Sequence, residues 1–271
     1  MAATRTLPEN VFSPNPVSVD EIRSVAEIRA STQLLPITKI APYSVTLDHL
    51  NGKRLKDYFD ILFAAHGAQH WWPGRTRFEI IVGAVLTQNT SWNNVERAIR
   101  NLRAARLLSP ATIRNVHSAR LAKLLRPSGY FRRKTRTLKA FVNFLYASHR
   151  GSLTRLFATP TATLREQLLA VRGIGPETAD SILLYAGKHP VFVVDAYTRR
   201  ILERHHIGHP TSSYEELRSI FEASLPNDHE LFNEFHALIV HAGKNYCRPK
   251  NPRCSECSLS RFLPQSSHPV T

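Results

Sequence analysis

Leu55, Tyr58, Phe59, Leu62 and Phe63 recur at steps of three and four, which gives a helix one apolar face and predicts an amphipathic helix from residue 55. Residues 78–87 are apolar almost without interruption, as expected of a helix buried on every side. In residues 91–108 the apolar positions Val95, Ala98, Ile99 and Leu102 share a face, with Arg97, Arg100 and Arg103 off it. Further helices are predicted at 110–116, 119–126, 133–148, 164–171, 176–186, 196–205, 213–224 and 227–247. Alternation with a period of two is nearly absent, and only 191–194, Val-Phe-Val-Val, reads as a strand. Residues 1–50, rich in Pro, Ser and Thr, show one helical hint at 19–30 and read as a partly ordered extension. The expected fold is all-α with short connections.

One break in this pattern carries chemistry. Val171-Arg-Gly-Ile-Gly-Pro176 separates two apolar helices. Gly173 can end the first in the left-handed conformation, Gly175 allows close approach of the backbone, and Pro176 suits the first helical position. The unpaired N–H groups at the start of the second helix can accept a phosphate, although an ordinary helix corner would use the same residues. Asp195, after the apolar run and before the helix at 196–205, stands where an N-cap is expected. A cap facing a cleft can also present its carboxylate to a ligand.

Charge sharpens this picture. Against 21 Asp and Glu the chain carries 36 Lys and Arg, a net charge of +15. No acidic residue lies between Glu96 and Glu166, while sixteen basic ones lie from Arg97 to Arg165. Such a segment repels itself unless it meets a polyanion, and nucleic acid is the simplest one. A merely solvated basic surface is the bland alternative. An anionic membrane is a weaker one, because the basic helices lack exposed bulky apolar partners. At 271 residues and 42% hydrophobic the chain can bury a core, and no apolar stretch nears the roughly 18 residues of a membrane span. The N-terminus lacks the apolar region of a secretory signal, and three cysteines cannot form a disulfide framework. A cytoplasmic protein is expected. His205, His206 and His209 read as a solvated helix end rather than a metal cluster. Trp71-Trp72, taken alone, suits a core.

Gly173-Ile-Gly-Pro-Glu-Thr-Ala-Asp180, followed by Val193-Val-Asp195, resembles the hairpin and aspartate of the helix-hairpin-helix DNA glycosylases, in their endonuclease III branch. Residues 78–90 resemble that branch's first barrel helix. Arg126-Pro-Ser-Gly-Tyr130 and the cysteine-bearing C-terminus follow in the expected order. The resemblance covers residues 55–260. It implies two helical domains with DNA across the cleft between them. One is a six-helix barrel of 78–190 with its hairpin at 165–187. The other joins 55–77 with 191–271 and carries Asp195 and the cysteines, leaving 1–54 as an extension. In the family this aspartate stays ionised beside the flipped nucleotide, where it stabilises charge developing on the sugar or helps activate water. Arg172, Gly173, Ile174, Gly175 and Pro176, with Arg126 and Lys134, match the phosphate grip. Gln88 matches the residue that fills the gap left by the extruded base, although a solvated polar helix end would read alike. Trp71-Trp72-Pro73, the LTQNT and RPSG segments and Glu177 together resemble the bacterial 3-methyladenine DNA glycosylases of type III. There an aromatic pocket stacks on the damaged base, and the candidates here are Trp71, Trp72 and Phe78.

Two departures bear on the chemistry. Bifunctional members carry a lysine four residues after the first hairpin glycine, where this chain has Glu177. A carboxylate cannot form the imine of the lyase step, and Lys188 lies at the far end of the helix, so a monofunctional enzyme is expected. The family's cluster pattern, C-x6-C-x2-C-x5-C, is met by Cys247, Cys254 and Cys257, with Leu263 in the fourth place. Either the thiols are free, or a group such as His268 completes a [4Fe–4S] cluster, or three thiolates and a histidine hold zinc. No cofactor is required for the chemistry. The expectation is a monomeric DNA N-glycosylase for 3-methyladenine-like bases in double-stranded DNA. Its rivals are a bifunctional glycosylase and abasic-site lyase, and a non-catalytic damage-binding module.

Overall fold

The computed structural model describes residues 43–69, 71–72 and 74–264; the hint at 19–30, Pro73 and His268 lie outside them. Among the described residues all regular structure is helical. Helix α1 spans Tyr43–His66, so the domain boundary expected at residue 54 falls inside a helix. Next come α2 (Arg77–Leu86), α3 (Trp92–Ala104), α4 (Pro110–Asn115), α5 (Ser118–Leu125) and α6 (Phe131–His149). A short α7 (Leu153–Phe157), absent from the expected pattern, is capped by Ser152, whose hydroxyl accepts from Arg155 N. Then follow α8 (Thr161–Leu169), α9 (Pro176–Ser181) running into a π-helical turn (Ile182–Gly187), α10 (Ala196–Arg204), α11 (Tyr214–Ser224) and α12 (His229–Asn245). No helix of the described residues is long and apolar enough to cross a membrane.

Local chemistry sets the ends of these helices. The Thr76 hydroxyl accepts from Glu79 N at the start of α2, and Ser109 and Thr112 form a reciprocal capping box on α4, with Pro110 at its first position. Gly173 adopts φ +89°, and a Cβ there would come within 2.2 Å of Thr137 Oγ1, so conformation and space both demand glycine. Around Gly175, by contrast, no atom beyond its chain neighbours would lie within 4 Å of a Cβ, which leaves the tip of the hairpin open.

Two apolar cores form. One gathers Phe78, Val82, Val85, Leu138, Phe141 and Leu168 and runs to Val191. The other gathers Leu55, Tyr58, Leu62, Phe192, Phe221 and Phe235, with the Phe192 and Phe221 rings stacked at 3.7 Å. Residues 191–194 pass from one core to the other and form no strand. Two of their backbone donors go to side chains instead: Phe192 N to Glu222 Oε1 at 2.9 Å and Val194 N to Tyr214 Oη at 3.4 Å. Arg165 braces the seam between the cores. It donates to both oxygens of the fully buried Asp180, at 2.7 and 3.1 Å, and to Glu215 Oε1 at 2.6 Å.

Candidate active site

A cavity of about 980 Å3 opens at this seam. Its aromatic lining includes Trp71, Trp72 and Trp92, which are all the tryptophans of the chain, together with Tyr185. Trp72 is the hub: its ring lies 5.0 Å from Trp92 at 88° and 4.8 Å from Tyr185 at 31°. Gly83 lets it sit there, since a Cβ on that residue would come within 3.3 Å of the indole. Trp71 O accepts from Asn233 Nδ2 at 2.8 Å, and Lys244 Nζ stands 5.5 Å from the Trp71 ring centroid.

Asp195 caps α10 at the cavity wall. Its Oδ1 accepts from Thr198 N at 2.8 Å and from Thr198 Oγ1 at 3.1 Å, while Oδ2 lies 3.7 Å from Nε2 of the buried His236. Glu177, in the first turn of α9, lines the same cavity. Its carboxyl is open to the cavity but walled by protein, and this burial, with the Asp195 charge beside it, pushes its pKa up to about 7. Gly173, Ile174, Gly175 and Pro176 form the adjoining lip. Gln88 is fastened to that lip, its Nε2 donating to Gly173 O at 3.0 Å and to Thr178 Oγ1 at 2.9 Å. A hairpin lip, a capping aspartate and an aromatic chamber are thus brought together from α2, α9, α10 and α12.

Residues 82–227 match the family model of the HhH-GPD superfamily base excision DNA repair proteins. The chain belongs to that superfamily. It is 45% identical over 206 residues to a putative DNA repair glycosylase of Methanocaldococcus jannaschii, spanning 75% of this chain and 93% of that one. The solved structure of an H. pylori 3-methyladenine DNA glycosylase bound to 1,N6-ethenoadenine matches with a TM-score of 0.62 and 30% identity, over 72% of this chain and 97% of the other. An endonuclease III–DNA complex shares the fold, with a TM-score of 0.67 at 20% identity over 78% and 94% of the chains. The protein is a DNA glycosylase of this family.

Several expected site residues lie elsewhere. Phe78 is 3% exposed in the first core and does not line the cavity; α2 is apolar all round, so its pattern does not say which side faces the site. Trp92, missed by the sequence reading, takes a wall instead. Lys134 is no surface cation. It is 1% exposed, its Nζ donates to Leu86 O at 2.9 Å and Ser128 O at 2.6 Å, and burial pulls its pKa down to about 8. Arg126 and Arg172 are exposed outside the cavity, while Arg133 lines it. Lys188 caps the far end of the π turn, away from the lining. Tyr130 is 66% exposed in the left-handed conformation at the head of α6. His205 is not solvated: it is 4% exposed and its Nδ1 lies 2.7 Å from Tyr58 Oη, whereas His206 and His209 are exposed.

Cys247, Cys254 and Cys257 meet around a separate small hollow with Arg204, His205 and Leu263. Arg204 Nη1 donates to Cys247 Sγ at 2.8 Å. The fourth ligand position presents a hydrocarbon, and among the described residues no three His, Cys, Asp or Glu side chains are arranged to hold a metal ion. The residues present do not fit a four-thiolate cluster.

Proposed function

We propose that this protein removes alkylated, 3-methyladenine-like purines from double-stranded DNA as a monofunctional glycosylase. The observation that carries the reading is the meeting of three tryptophans and Tyr185 with Asp195 and Glu177 in one cavity. An alkylated purine is cationic and electron-poor, so indole faces and the Asp195 carboxylate attract it where they would gain little from a neutral base. A 30% identical relative was solved with a modified adenine, which agrees with a purine pocket. The basic surface steers the duplex, the open hairpin tip at Gly175 takes a backbone phosphate, and the lesion leaves the stack for the chamber. Gln88 fills the gap once its bonds to Gly173 and Thr178 are released. As the base departs with the bonding pair, Asp195 stabilises the positive charge on the sugar or draws a proton from the attacking water, which adds at the anomeric carbon. The two cores support a barrel of 78–190 and a terminal-segment domain of 55–77 with 191–271, and the enzyme acts as a cytoplasmic monomer.

Glu177 holds the place from which a lyase lysine would attack. Lys244 gives the bifunctional reading its own support, because it is an amine in the cavity lining. Methylated duplex DNA incubated with the pure protein separates the readings. Free 3-methyladenine with strand breaks only after alkali is expected. Breaks without alkali, with a covalent adduct trapped by borohydride, would replace the monofunctional reading. If neither product forms, other lesions come next, and the binding-module reading stands only when those fail too.

A further inference from the structure

Thr198 holds only one oxygen of Asp195; the other looks across the seam to α12. There His236 is 3% exposed, with Nδ1 2.6 Å from Tyr185 Oη and Nε2 3.7 Å from Asp195 Oδ2. Nε2 has no hydrogen-bond partner among the described residues. Burial lifts the Tyr185 hydroxyl well above the usual phenol range, so it keeps its proton and donates it to Nδ1. Burial also lowers His236, leaving the imidazole neutral near pH 7. A neutral ring that accepts at Nδ1 carries its proton on Nε2, and that N–H is aimed at Asp195. A histidine kept only for packing would not leave a buried N–H unpaired beside a carboxylate. The separation of 3.7 Å exceeds a hydrogen bond, as is common in free enzymes whose contacts tighten around substrate. Tyr185 meanwhile lies against Trp72, so one buried side chain touches both the base chamber and the relay.

We propose that His236 is a positioning residue for Asp195, its Nε2–H orienting Oδ2 toward the sugar, with Tyr185 fixing the tautomer. The proposal rests on the reading of Asp195 as the group that promotes base loss.

Single-turnover excision from methylated duplex and the affinity for a duplex bearing a tetrahydrofuran abasic analogue test it together. By the usual effect of groups that orient a reactive side chain, His236→Phe is expected to slow excision roughly 10- to 100-fold. Affinity should stay within about two-fold, which places the loss in the chemical step. His236→Gln, which keeps an N–H near the same place, should recover most of the rate, and Tyr185→Phe should lose less than His236→Phe. In an Asp195→Asn background, His236→Phe should change nothing further. Wild-type excision by His236→Phe overturns the proposal, as does a loss that Gln does not recover or that persists beside Asp195→Asn. If His236→Phe does not fold, Tyr185→Phe decides, and unchanged excision by it overturns the relay. Wild-type excision by Asp195→Asn alone would instead overturn the reading of Asp195 on which the relay depends.

Discussion

Helix α10 is capped by Asp195 in the cavity and ends at Arg204 among the cysteines, and the polar groups at its two ends are treated in opposite ways. At the cavity end, Trp71 Nε1 and His236 Nε2 are buried without hydrogen-bond partners among the described residues, and Glu177 keeps its proton to about pH 7. At the cysteine end the groups are tied down. Arg204 binds Cys247 Sγ and Arg248 O, Arg200 binds Cys247 O and Gly243 O, and Tyr58 meets His205. Unsatisfied buried polar groups are destabilising and persist where a ligand or a reaction uses them. Helix α10 therefore offers chemistry at its first turn and serves as a brace at its last, whatever the ancestry of the cysteines.

The sharpest way to break that contrast is Asp195→Asn. Asparagine caps helices about as well as aspartate, so the melting temperature should hold. Excision should fall by roughly 10²- to 10⁴-fold in single-turnover assays. A large loss of stability would move Asp195 to the bracing side of the comparison. Next in size is the pair Trp72→Ala and Phe78→Ala. The first should weaken productive binding of damaged duplex roughly 10- to 100-fold, from lost stacking of about 1–3 kcal/mol, at little change in fold. The second should destabilise by about 3–5 kcal/mol in urea unfolding, because it empties a core site. At the bracing end, Tyr58→Phe leaves buried His205 Nδ1 without its partner. It should cost about 1–3 kcal/mol of stability and leave excision unchanged.

The smallest effect belongs to Glu177. In the folded protein it holds its proton to about pH 7, whereas the unfolded chain releases it near the ordinary value of 4.5. The folded state therefore binds more protons between those values, and this group's contribution to stability declines as pH rises from 4.5 to 7. Glu177→Gln should flatten the decline, seen as a smaller fall in melting temperature over that range.

Much of this was legible in advance, because helices advertise themselves locally. The apolar steps of α1, the nearly all-apolar α2, the two hairpin glycines and the Asp195 cap each depend on neighbours within a turn or two. The misplaced residues failed for the converse reason. Lys134 looks like one more surface cation in a basic run until Leu86 O, 48 positions away, is found on its ammonium. His205 looks solvated until Tyr58, 147 positions away, covers it. Phe78 and Trp92 are both aromatic residues in or beside helices, and only the packing of α2 decides which one faces the cavity.

By itself, the sequence determined the helical class, the hairpin, the capping carboxylate and the sign of the surface, since periodicity, backbone conformation and charge are properties of short segments. The tertiary structure alone decided that Asp195 meets His236 from α12 and Glu177 from α9, with three tryptophans around them. Those meetings arise where two separately packed cores close on a seam, and no short stretch of the chain contains both sides of it.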